Sequence, residues 1–509
     1  METKTLYQYI IENLDTEDEY FTQDTLPDDP HPSVLRPLGT EEAFWLAADF
    51  PSRVEVAASL CKLLQDYKQN SNPRLVQEIY HFVQDQPVIV ITEPLCDMLH
   101  SEEFTEALYT LGRSLFYNAR HRGPLKLGYI LLGFYGVERI QKEFPELWVD
   151  MIHIAQCEEF TYYFLLACSI TDYKPLRAIW RLIGCTKGWG RVFCIKAAEC
   201  EDEAQELWLI QYGMDNTVEY PSLAGFILHS SNLGRHLEQE ELSYPAFAGA
   251  MKIVTSFLHW VNTNTDAELE EQLLDVPGFS LVTLLQNLLR QAQKHATKPE
   301  EILWVLRLAY ALHCLMENET LCLIGANDME VLLASCDSIA YARDWREYVY
   351  EHLVSEDELN YDLCDFACDM DIPISPPLFA YLEQHPLEVL VLPYLFACYD
   401  EQVQQRALRF VEKHLECYRT EESALLIPLR YLERHPGLGE SIIISALTSI
   451  YDTPRGVACD TLNAWETATI TEPLWQALRT ARDLSNNVAV TERIKRLLEG
   501  RHFSEDELI

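Results

Sequence analysis

Residues 187–220 read KGWGRVFCIKAAECEDEAQELWLIQYGMDNTVEY, and their spacing decides the fold class. Just ahead of them, Leu176, Ile179, Trp180 and Ile183 form one apolar helical face, while Arg177 and Arg181 stand one turn apart on another. Gly184 then closes that helix, and Gly188 and Gly190 flank Trp189 in a tight turn. Gly190, Cys194 and Ala197 make a stripe of small residues at i, i+4 and i+7, where a neighbouring helix can approach closely. After the acidic start Glu201-Asp202-Glu203, the residues Ala204, Leu207, Trp208 and Ile210 continue the pattern until Gly213 and Asn216 break it. Tyr220-Pro221 opens the next helix. The reading is a tight helix-to-helix junction that places Trp180, Trp189 and Trp208 in the core.

The same writing runs outward in both directions. From Thr40 onward, apolar residues recur at i, i+3, i+4 and i+7 in segments separated by short polar breaks. Thr40, Ser101 and Thr420 are each followed by two glutamates, a hydroxyl cap with acids in the first turn. Thr297 with Glu300, and Ser355 with Glu358, have the spacing of a capping box. Pro124, Pro221, Pro299 and Pro473 sit where helices begin; Gly184, Gly213 and Gly234 sit where they stop. Strand-like alternation is nearly absent, and PVIVI at 87–91 is the one short apolar β-branched run. Residues 1–39 hold a possible short helix (Leu6, Ile10, Ile11, Leu14) and then an acidic, proline-containing run, which predicts a tether or irregular cap outside the core. The expected fold is therefore all-α, with an amino-terminal segment 1–39, helical repeats over 40–240 and further helical repeats over 241–509. The polar segment from Trp475 to Gly500 would close the array.

Composition narrows the function. Thirty-nine basic residues against 80 acidic ones give a net charge of −41, so a nucleic-acid backbone or anionic membrane meets repulsion over most of the surface. No stretch approaches the ~18 apolar residues of a membrane span. The fifteen cysteines are scattered through apolar segments without a CxxC pair, and the amino terminus lacks the pattern of a secretory signal. Both features point to reduced thiols and a cytoplasmic protein.

Helix pairs recur at intervals of about 40 residues, for example SEEFTEALYTLGRSLFYNAR with PLKLGYILLGFYG, and PLEVLVLPYLFACY with EQVQQRALRFVEKHL. Antiparallel pairs of this length joined by short loops resemble HEAT and armadillo arrays, which implies an α-solenoid. Two or three compact helical bundles are the alternative. The order GWGR, apolar residues, an acidic loop, WLI, Gly, Asn and Tyr is also similar to a signature in a little-characterised bacterial group of HEAT-like proteins, written there GWGRIHAVERL, then WLL, G and N. The similarity spans some fifty residues closely and the surrounding helices loosely. This chain departs from it with VFCIKAA at 192–198. Some members of the group are labelled limonene hydroxylase; these residues offer no chemistry for that label, so the resemblance implies a fold and no activity.

Between Arg113 and Lys196 stand twelve basic residues and seven acidic ones, a net +5 that leaves −46 for the rest of the chain. This basic island either pairs with the protein's own acidic helices, such as 199–206, or receives an anionic ligand or acidic segment. In the second case the contacts fall to Arg177, Arg181, Lys187 and Arg191. P-loop, GxGxxG, GxSxG and HExxH patterns are absent from the sequence, as is a glycine-flanked cysteine loop of the haem-thiolate kind. Glu78 with His81, and the looser Asp97 with His100 and Asp150 with His153, have the i, i+3 spacing that di-iron sites use, at a frequency expected by chance. Cys364 and Cys368 lie one turn apart in the acidic run 355–371 and read as two core cysteines on one face. No catalytic residue, metal or cofactor is expected. The leading expectation is a non-catalytic scaffold offering an acidic surface to a protein partner, a basic one being the complementary choice. The competing classes are a ligand sensor or enzyme with an anion-binding groove around 177–191, and a nucleic-acid mimic directed at a basic protein.

Overall fold

The computed structural model describes residues 4–15, 20–29, 36–47, 51–84, 86–100, 104–263, 280–317, 324–355, 358–418, 423–485 and 487–502. Among them are thirty α-helices, and the only ladder is a two-stranded hairpin. No described helix is long and apolar enough to cross a membrane. The chain forms two units, 1–296 with 304–339 and 297–303 with 340–509.

In the first unit the first sixteen helices begin with α1 (Leu6–Glu12), α2 (Thr40–Ala47), α3 (Val54–Gln69), α4 (Pro73–Gln84), α5 (Ile89–His100), α6 (Glu106–Asn118), α7 (Arg122–Tyr135) and α8 (Val137–Glu143). They continue with α9 (Pro145–Ala155), α10 (Glu158–Ser169), α11 (Leu176–Cys185), α12 (Trp189–Ala197), α13 (Glu203–Tyr212), α14 (Leu223–Ser230), α15 (Leu233–Glu238) and α16 (Tyr244–Thr263). Packing follows chain order: α7 contacts α10, α10 contacts α12, α12 contacts α14 and α14 contacts α16. In addition α7 packs on α6, α10 on α9, α12 on α11 and α14 on α13.

At the centre lies α7, whose residues Gly123–Gly133 are all buried. Its sequence RGPLKLGYILLGFY is apolar on every side apart from Lys126, as a helix enclosed by others requires. Gly128 permits the close approach of α6, because a Cβ there would stand 3.0 Å from the Phe116 backbone nitrogen.

The second unit repeats the order of packing. Helix Leu392–Phe396 contacts Leu426–Leu432, which contacts Asp452–Asn463, which in turn contacts Val488–Leu498. Trp465 is the largest fully buried side chain, and its indole donates to the Leu432 carbonyl at 2.8 Å. Val490, Ile494 and Leu497 seat the final helix.

Several local expectations change. The run at 87–91 leads into α5, with Val88 buried just before the helix and Ile89–Ile91 buried in its first turn, so β-branched residues serve core packing there and not a strand. Ser355 and Glu358 face each other across the hairpin Val354–Ser355 and Glu358–Leu359, and the next helix is capped by Asn360, which accepts from the Leu363 amide at 3.1 Å. At 297–301 the carboxylate that reaches back is Glu301, accepting from the Thr297 and Lys298 amides at 2.6 and 2.8 Å; the box is shifted one residue from Glu300. Finally, α1 is part of the core: Leu6, Ile10 and the later Leu26 are buried, and α1 packs on α6 and α9. Ser101 and Thr420 lie outside the described residues.

Candidate functional site

The junction at 187–190 is organised by a residue well upstream. Glu158, the first residue of α10, accepts the Lys187 and Gly188 amides on Oε1, each at 2.8 Å, and the Gly190 amide on Oε2 at 3.0 Å. A carboxylate thus satisfies the free amides at the start of α12 and suits its dipole. The glycines leave room for it: a Cβ on Gly188 would lie 2.6 Å from Glu158 Oε2, and one on Gly190 2.7 Å from Thr161 Oγ1. Of the small-residue stripe, Gly190 and Cys194 are buried, with Gly190 against α10, while Ala197 is half-buried beside a cavity.

Glu159, the next residue, points into a buried cluster of charge. Lys126, 1% exposed, places its ammonium 2.6 Å from Glu159 and 2.7 Å from Glu42, and the Tyr163 hydroxyl donates to the same Glu42 oxygen at 3.1 Å. Arg122 reaches Glu159 at 3.3 Å and also pairs with Asp28 and Asp29, tying the amino-terminal segment to α7. Burial pushes both carboxyls up, but the fates differ. Glu159 has Lys126, Arg122 and the Gly39 amide, and is held below its ordinary value. Glu42 is raised to about 7: burial outweighs Lys126, the charge on Glu159 adds to it, and its second oxygen has no hydrogen-bond partner. Burial alone would also lower Lys126, yet Glu159 and then Glu42 hold it above its ordinary value. Carboxylate oxygens of Glu41, Glu42 and Glu159 lie within 4.8 Å of one another, the spacing of a cation site, but Lys126 already supplies the cation.

Of the four cations expected to form an anion site, Lys187 and Arg191 are engaged with different partners. Lys187 lies 4.2 Å from the centre of the Tyr20 ring. Arg191 donates to the Asp215 carbonyl at 2.8 Å and lies over Trp208 at 5.0 Å; burial draws it below its ordinary value. Arg177 is exposed on α11 and Arg181 half-buried. Elsewhere in the island Lys174 pairs with Glu199, Arg139 with Glu143 and Lys142 with Glu138.

Trp180, Trp189 and Trp208 are half-buried, and do not lie in the core as expected. Trp180 donates its indole N–H to the Glu199 carbonyl at 3.1 Å and meets Trp208 edge-on at 5.8 Å. Trp189 lines an apolar cavity of about 360 Å³ between α2, α10 and α12, with Tyr162, Leu166, Phe193, Lys196 and Tyr220. That cavity and the buried Glu42, Lys126 and Glu159 are what the sequence reading missed. A lone lysine inside the apolar run PLKLGYILLGFY was the available signal for the second; nothing local marked the first.

Of the remaining candidates, Glu78 is engaged by Arg74 at 3.0 Å, His100 by the Cys96 carbonyl at 2.8 Å and Asp150 by the Tyr117 hydroxyl at 2.7 Å. Cys364 is buried but Cys368 is exposed, which corrects the reading of two core cysteines. Burial pushes their thiols up to about 12 and about 11, so neither is a thiolate at neutral pH. No protein-family model, no curated protein and no solved structure matches this chain.

Proposed function

We propose that this chain is a non-catalytic scaffold, an α-solenoid of HEAT/armadillo-like helix pairs, which holds a basic protein partner on an acidic surface. The solenoid reading is supported by helices that pack in chain order within each unit. The observation that carries the function is a set of exposed acids and exposed apolar side chains on two contacting segments of the second unit. Helix Tyr361–Asp369 exposes Asp362, and Glu358 and Asp371 beside it are also exposed. Among the described residues neither Asp362 nor Asp371 has an ion-pair partner. The segment 387–399 lies against this helix, with the Tyr361 hydroxyl on Glu388 and the Tyr394 hydroxyl on Asp365, both at 2.8 Å. It leaves Leu387, Leu390 and Tyr399 54%, 59% and 100% exposed. Apolar anchors set among unpaired acids suit a basic segment with apolar side chains; the charge steers the encounter and the apolar contacts hold it.

Affinity capture from the native host at low and moderate salt, with wild type beside the D362K/D371K and Y399S variants, tests this reading. Wild type is expected to recover a stoichiometric basic protein whose yield falls with salt and in both variants. Recovery of no stoichiometric protein, or equal recovery by all three chains, overturns it.

A further inference from the structure

We propose that the cavity between α2, α10 and α12 is a binding site for a small amphipathic carboxylate, its chain lying on Trp189 and Phe193 and its charge met by Lys196. The cavity is open to solvent on one side and holds about 360 Å³, within the range of clefts that hold small ligands. Its lining is mostly aliphatic and aromatic, with Ser169, and among the described residues Lys196 is the only charged one in it. In a chain with 80 acids and 39 bases a lysine has carboxylates in plenty to pair with, yet among the described residues Lys196 pairs with none. Its ammonium rests instead 4.9 Å from the centre of the Phe226 ring and 5.6 Å from that of Tyr220, contacts that hold it at the rim with its charge available.

Among the described residues the hydroxyls of Tyr162 and Tyr220, both lining residues, also take no hydrogen-bond partner, which leaves donors for the second carboxylate oxygen. One ammonium suits a singly charged headgroup; a phosphorylated ligand calls for several cations or a cradle of amides. The neighbouring amides at 187–190 are already taken by Glu158. Those same bonds fix α12 against α10, so the walls stand in place before a ligand arrives.

Isothermal titration calorimetry of the full chain with decanoate, decyltrimethylammonium and 1-decanol, each below its aggregation limit, decides the matter. Decanoate is expected to saturate at one per chain and to bind more tightly than either comparator. K196M is expected to weaken decanoate about tenfold, the scale of a charge-assisted contact, with an unchanged circular dichroism spectrum because the side chain is exposed. A197F, which fills the cavity from its α12 wall, is expected to abolish saturation. Absence of decanoate saturation, equal affinity for any comparator, or wild-type affinity in K196M or A197F overturns the proposal.

Discussion

Lys126 is a buried charge on which the packing of the first unit depends. Its ammonium lies between Glu42 and Glu159 with almost no solvent contact, so its removal leaves two buried carboxyls facing each other. Breaking a buried ion pair from one side costs about 3–5 kcal/mol. K126M is therefore expected to lose stability on that scale in urea unfolding followed by tryptophan fluorescence, although methionine fills nearly the same volume. Glu42 adds a pH dependence of defined sign. Its carboxyl titrates near 7 in the folded chain and near 4.5 when free, so the folded state holds an extra proton between those values. Its contribution is fully present below about pH 4.5 and is lost as pH rises through 7. E42Q cannot titrate, so its unfolding midpoint is expected to fall less than that of wild type between pH 5 and 7.5. Equal slopes for the two chains would refute the assignment.

At the scale of the element, α12 depends on a cap that does not come from its own residues. Three amides at its start converge on Glu158, and loss of an N-terminal cap acceptor costs about 0.5–2 kcal/mol. E158A is expected to lose at least that much, while E158Q, which keeps one carbonyl oxygen, is expected to recover part of it in the same denaturation assay. The glycines at 188 and 190 were readable as a close junction because small size is a local property, and each leaves room a Cβ would fill. What fills the junction was not readable, since Glu158 stands some thirty residues away and looks like any acid opening a helix. The three tryptophans show the same limit. Their helical spacing was correct, but periodicity tells which residues share a face and not whether the next element covers that face completely.

Across the whole molecule, charge is the dominant long-range effect. A net −41 makes the surface repel itself, while most of the ion pairs on it are exposed and individually weak. Salt shortens the Debye length from about 30 Å at 0.01 M to about 3 Å at 1 M, which relieves the repulsion before it disrupts buried pairs such as Lys126 with Glu159. The melting temperature is therefore expected to rise by several degrees between 0.01 and 0.5 M NaCl in a calorimetric scan. A melting temperature that falls with salt would mean that ion pairs outweigh repulsion. The internal pairing of the basic island belongs to this scale too: Arg122, Lys126, Arg139, Lys142 and Lys174 are neutralised by acids of the same chain, some of them far away in sequence.

Helix after helix, the ordering of elements and the acidic character were determined by the sequence alone, because helix formation and capping act within a few residues and net charge is a sum over them. The sequence also marked 187–220 as a junction. Only the tertiary structure decided which of its neighbours occupy that junction and which leave a space. Glu42, Lys126 and Glu159 become one cluster, and Ala43, Tyr162 and Lys196 become the wall of one cavity, through helix packing that joins residues 30 to 150 positions apart. The energy of such contacts depends on separation in space and on exclusion of water, and neither quantity is written in the order of residues along the chain.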